Sequence, residues 1–176
     1  MSDLQNSQST ASQSTSAQQD SMGAAEVFEQ AFELIQAGNV HALFDMMAED
    51  VVMEFPFAPP SRPQRVEGKN KIIMYNQAIL DIVSFSHFTD VEIHRMIDPD
   101  WVVVEMTSHG TVLATGKTFE RRYIDVCHTK NGRIKLIRDY WNPLESPKLN
   151  FATKLKVAYR IIGGTLKSLR HPMKTE

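Results

Sequence analysis

The chain changes its hydrophobic period once, and that change limits what it can fold into. Up to about residue 83 apolar side chains recur at three- and four-residue intervals, whereas after Phe88 they alternate. The segments "FTDVEIHRMI", "WVVVEMTSHGTVLA", "KTFERRYIDVCHT" and "GRIKLIRDYW" have the period of two that half-buried strands require. Asn131-Gly132, between the last two, predicts a type I′ hairpin, because both residues tolerate positive φ.

The earlier part reads as helices around one strand. Val27, Phe28, Ala31, Leu34 and Ile35 make a helical stripe from Ala24 that Gly38 ends. Asn39 can cap a short second helix carrying Leu43, Phe44 and Met47. "VVMEF" is a strand, and the proline-broken "PFAPPSRPQ" is a loop. A third helix is predicted from about Asn70 to Val83, with Ile72, Tyr75, Ile79 and Val83 along one face. Helices first and a meander afterwards predict an α+β fold. The expected form is a cone-shaped, curved antiparallel sheet with the three N-terminal helices on its concave face. The interior of such a cone is where a ligand would bind.

Flanking segments differ from this body. Residues 1–22 are mostly Ser, Gln, Thr, Ala and Asn, too polar to repay the entropy of ordering, and read as a disordered leader. Residues 23–147 form the domain, and 148–176 a basic tail with seven Lys or Arg against one acid. On a helix the tail sets Phe151, Leu155, Ala158 and Ile162 on one stripe. That suits docking on the domain or a partner subunit, and less well peripheral contact with an anionic membrane.

Several function classes drop out. Residues 1–147 carry 12 basic and 20 acidic groups and no basic stripe, so the chain's body is not expected to bind nucleic acid. No apolar run approaches the length of a membrane span, and no secretory signal is visible, which makes a cytoplasmic setting the expectation. One cysteine, scattered histidines and the lack of a Gly-rich phosphate loop point to no metal, no cofactor and no covalent nucleophile.

What stands out is an acid in an apolar row. Ile137, Asp139 and Trp141 share one side of the last strand, and a carboxylate there is costly unless something uses it. If they face the cone interior, desolvation raises the carboxyl's pKa toward the range useful for proton transfer. The competing reading is a solvated or ion-paired acid at a strand end. Tyr75 on the roofing helix and His109 on the "VVVEMTSHG" strand are candidate partners, each also readable as packing or surface. Glu54, Glu105, Trp101 and Trp141 complete the candidate ligand-binding set. Of these, Glu54 also reads as a strand-edge charge, Glu105 as half of an arginine pair, and the tryptophans as core.

The order helix-helix-strand-helix-meander resembles the nuclear transport factor 2-like superfamily, which includes ketosteroid isomerase, scytalone dehydratase and the SnoaL-like polyketide cyclases. "VVVEMTSHG", "TFERRYIDV" and "NGRIKLIRDYWNPL" look like strands of the phenazine-biosynthesis A/B proteins and their SnoaL-like relatives, and "ATGK" at 114–117 looks like the loop before their penultimate strand. The likeness covers about residues 24–145. It implies that Asp139 is a proton-transfer residue and that the chain forms a homodimer. A pocket histidine of the phenazine proteins would fall near Tyr75, a departure, since tyrosine donates a hydrogen bond but is a poor base. The resulting expectation is a cofactor-independent isomerase, cyclase or dehydratase acting on a hydrophobic small molecule. A binding protein with the same cavity, or an adaptor using the sheet and tail, is the alternative.

Overall fold

The structure is a computed structural model, and it describes residues 22–39 and 41–145. The expected leader and basic tail therefore lie outside the described residues. Helix α1 spans Ala24–Gln36, and a single turn, α2, spans Ala42–Asp45. Strands β1 (Met47–Glu54) and β2 (Arg65–Glu67) precede helix α3 (Lys69–Leu80). Four long strands follow: β3 (Val83–Arg95), β4 (Trp101–Val112), β5 (Thr118–Lys130) and β6 (Arg133–Trp141). A short 3-10 turn, Pro143–Glu145, ends the described chain.

The strands make one curved sheet in the order β2-β1-β6-β5-β4-β3, with the helices on one face, and the sheet does not close. This is the expected α+β class with one correction. The sheet is not wholly antiparallel, because β1 runs parallel to β6. A parallel pair needs a long crossover, and β2 through β5 supply it. Asn131 and Gly132 have φ of 52° and 63°, as the type I′ turn requires.

Three local expectations shift. The buried face of α1 is Ala24, Val27, Phe28, Ala31 and Phe32, and Leu34 is turned outward. Met47 and Val83 begin strands instead of ending helices, so β1 starts four residues before "VVMEF" and β3 five before Phe88. The three-residue β2 was too short to show a period.

Strand alternation divides the sheet's two faces. Val102, Val104, Met106 and Ser108 of β4 are register-linked with Cys127, Asp125, Tyr123 and Arg121 of β5. Cys127, Asp125 and Tyr123 in turn meet Ile137, Asp139 and Trp141 of β6. These side chains share the face that α1 covers. Val27, Phe28, Ala31 and Phe32 pack with Val102, Val104, Cys127 and Ile137 into the main core. Removing a ring such as Phe28 from it would cost about 3–5 kcal/mol. Beyond this apolar end the same face turns polar, and the candidate site begins there. No helix among the described residues is long and apolar enough to cross a membrane.

Candidate functional site

Asp139 stands on β6 between two buried apolar neighbours of its own face, Ile137 and Trp141. The residue is half-buried, yet its Oδ1 is sealed from water and has no hydrogen-bond partner. Burial pushes the carboxyl up to about 7, against the opposing pull of the Arg121 guanidinium. Sealing one oxygen while leaving the group partly reachable is what a working acid or base needs.

Aromatic side chains surround it. Trp141 is 7% exposed and packs with Phe55 and Ala58, with Tyr75 and Tyr123 alongside. Two guanidiniums hold its indole, Arg62 at 5.2 Å and Arg121 at 5.5 Å from the ring centroid. Tyr75, from α3, lies 5.0 Å from the Phe55 ring. Burial raises the phenols of Tyr75 and Tyr123, and the charge of Asp139 adds to the rise in both. Both therefore stay protonated, and each phenol can donate a hydrogen bond. Farther along the same face Phe85 packs on Phe88 and Phe119, at 6.2 Å and 5.9 Å.

Three of the predicted residues, Asp139, Tyr75 and Trp141, thus come together. The other four do not. His109 lies on the opposite face of β4, its ring stacked on His87 at 4.4 Å and its Nε2 2.8 Å from Thr89 Oγ1. Glu105 shares that face and meets His94 Nε2 at 3.2 Å, not an arginine. Trp101 packs there on His128 at 4.7 Å, beneath Arg138. Glu54 pairs with Arg65 and with Arg138 Nε, the latter at 2.9 Å. One cause explains the β4 residues: its even-numbered side chains face the helices, so 101, 105 and 109 point away. An open hollow of about 560 Å³ does include Glu105, with Phe57, Glu92, Arg122, Ile124 and Tyr140. Its lining is mostly outward, though Tyr123 and Trp141 also border it; Asp139 does not.

Arg121, Tyr123 and Asp125 were missed as site residues. All three stand at alternate positions of "TFERRYIDV", on the face of Cys127, so their period of two was the available signal. Asp125 is 8% exposed and is the strand partner of Asp139. No three His, Cys, Asp or Glu side chains among the described residues come together as metal ligands.

The family model for the SnoaL-like domain matches residues 28–137. The chain belongs to the SnoaL-like family. Among its relatives, the uncharacterized protein YesE of Bacillus subtilis (strain 168) is 39% identical over 100 residues, 57% of this chain and 68% of that one. The uncharacterized PhzA/B-like protein PA3332 of Pseudomonas aeruginosa is 32% identical over 123 residues, 70% of this chain and 86% of that one. Among solved structures, a candidate isomerase of Bacillus subtilis superposes with a TM-score of 0.61 at 31% identity, covering 80% of this chain and 93% of its own. The SnoaL-like match runs from Phe28, within α1, to Ile137 and so takes in Tyr75, Arg121, Tyr123 and Asp125, stopping two residues short of Asp139.

Proposed function

We propose that this SnoaL-like protein is an acid/base enzyme that moves a proton within a hydrophobic carbonyl compound, using its own side chains. The observation that carries this reading is the Asp139 carboxyl, with one oxygen sealed and unpartnered and its titration pushed up to about 7. A carboxyl in that range both takes and returns a proton at neutral pH. It would remove a proton from the carbon beside a carbonyl, and the charge would pass to the carbonyl oxygen. Tyr75 and Tyr123, protonated and buried, would donate hydrogen bonds to that oxygen. Returning the proton to another carbon gives isomerisation; attack of the enolate on a second carbonyl gives ring closure. The rings of Phe55, Phe85, Phe119 and Trp141 suit a flat, apolar ligand.

The test is hydrogen–deuterium exchange in heavy water on a panel of bicyclic aromatic ketones, read by mass spectrometry. The wild-type protein should accelerate exchange beside the carbonyl. Asp139→Asn should bind the same ketones and lose roughly 10²–10⁴-fold in exchange rate. If neither form exchanges the ketones and Asp139→Asn only weakens binding, the site is a binding site without turnover.

A further inference from the structure

Asp125 is a buried carboxyl that the chemistry above leaves unused. It faces Asp139 directly across the β5–β6 ladder, and the Oδ1 atoms of both are buried without a partner. Side chains so paired have Cβ atoms about 4.5–5.5 Å apart, and like charges there oppose one another. Few groups can offset a double negative charge. From β5 the pair meets Arg121, Tyr123 and Cys127, and from α3 Tyr75; Arg62, from the loop after β1, stacks on Trp141 beside them. Helix α1 offers Val27, Phe28, Ala31 and Phe32; β1, β3 and β4 add Met53, Ile93, Val104 and Ser108, none of them charged. Arg121 itself is turned to the Tyr123 hydroxyl at 3.4 Å and to the Glu145 carbonyl at 3.1 Å.

We infer that Asp125 and Asp139 act as one unit holding a single proton near neutral pH, with Asp125 a positioning residue that governs the proton on Asp139 without touching the ligand. The difference in burial divides the roles: Asp125 is sealed, while Asp139 is partly open. Desolvation, with the charge of Asp139, raises Asp125 well above the usual carboxylate range, in keeping with a retained proton. The catalytic meaning of the pair rests on the reading of Asp139 given above. When Asp139 takes a proton from carbon, the pair goes from one proton to two and its charge from −1 to zero, and the negative charge passes to the ligand's oxygen. Returning the proton restores the start. With one proton on the pair, its charge and that of Arg121 cancel before reaction. The ligand group that enters should then be uncharged, a ketone and not a carboxylate.

The pair can be tested without a substrate, by carbon-13 NMR titration of aspartate-labelled protein in wild-type, Asp125→Asn and Asp139→Asn forms. In the wild type the two carboxyls should titrate in two steps. The later step should lie more than about one pH unit above the single step of either variant. If one variant fails to fold, the wild type and the other still give that comparison. Wild-type steps that coincide with the single steps of the variants, or two carboxyls already ionised in the range of surface aspartates, would overturn the pair. Coupled titration without ketone exchange would leave the pair standing and sink the enzyme reading; exchange without coupling would do the reverse.

Discussion

Arg121 lies over the indole of Trp141, 5.5 Å from the ring centroid, and so keeps a cation beside the strand that carries Asp139. The arginine is also the group that pulls the Asp139 carboxyl back down against the effect of burial. Arg121→Gln should therefore move the Asp139 midpoint above about 7, and Arg121→Lys, which keeps the charge, should move it less. Carboxyl NMR titration reads both. A midpoint that stayed put in Arg121→Gln would mean that the guanidinium charge is spent elsewhere.

Stability should respond to pH in a direction unusual for a carboxylate. A group whose pKa is raised on folding contributes stability that is full in acid and is lost as pH rises, here through about 7. The ion-paired Glu26, Asp50 and Glu67, held below the usual range, act in the opposite sense and weaken the fold in acid. Asp139→Asn should gain on the wild type between pH 5 and pH 8 by on the order of a few kcal/mol. Urea midpoints at the two pH values decide it, and equal midpoint differences would show that Asp139 is well solvated.

Gly110 marks where β4 passes closest to its neighbours. A Cβ there would sit 2.3 Å from the Ser84 carbonyl oxygen and 2.7 Å from the Phe119 ring. The ring could tilt; the backbone carbonyl of β3 could not. Gly110→Ala should cost about 1–3 kcal/mol or more in chemical denaturation, and it should disturb the Phe85–Phe119 contact at the far end of the candidate site.

Changes on the outward face should leave the chemistry alone. Glu54→Gln removes an ion pair with Arg65 and Arg138 at a side chain only 26% exposed, and should cost about 1 kcal/mol or less. His109→Gln should keep both ketone binding and exchange, because its ring points away from Asp139. Loss of exchange in His109→Gln with binding intact would move the reacting centre to the other side of the sheet.

The inward direction of Asp139 was legible because Ile137 and Trp141 repeat on either side of it. Its partner was not legible. Counting back from the Asn131-Gly132 turn pairs Lys130 with Arg133 and Thr129 with Ile134, which would set Asp125 against Arg138. A register shift between His128 and Thr129 moves the ladder by one residue and sets Asp125 against Asp139 instead. No turn residue signals that bulge; its trace is that Ile134 and Ile137, three apart on one strand, are both buried. His109 and Glu105 illustrate the converse difficulty. A period of two tells which residues share a face, but the choice of inward face comes from α1 packing on Val102 and Val104.

The parallel pairing of β1 with β6 has a consequence for how the molecule is made. The strand bearing Asp139 comes last in the described chain, yet it sits between β1 and β5. During synthesis β1 leaves the ribosome early and has only the three-residue β2 beside it until Trp141 has followed. An unfinished chain would expose that bare flank, and the strand bearing Asp139 would snap into place late, by insertion into a waiting gap. Nascent chains stalled before residue 133 should be protease-sensitive at β1 and unable to capture a ketone.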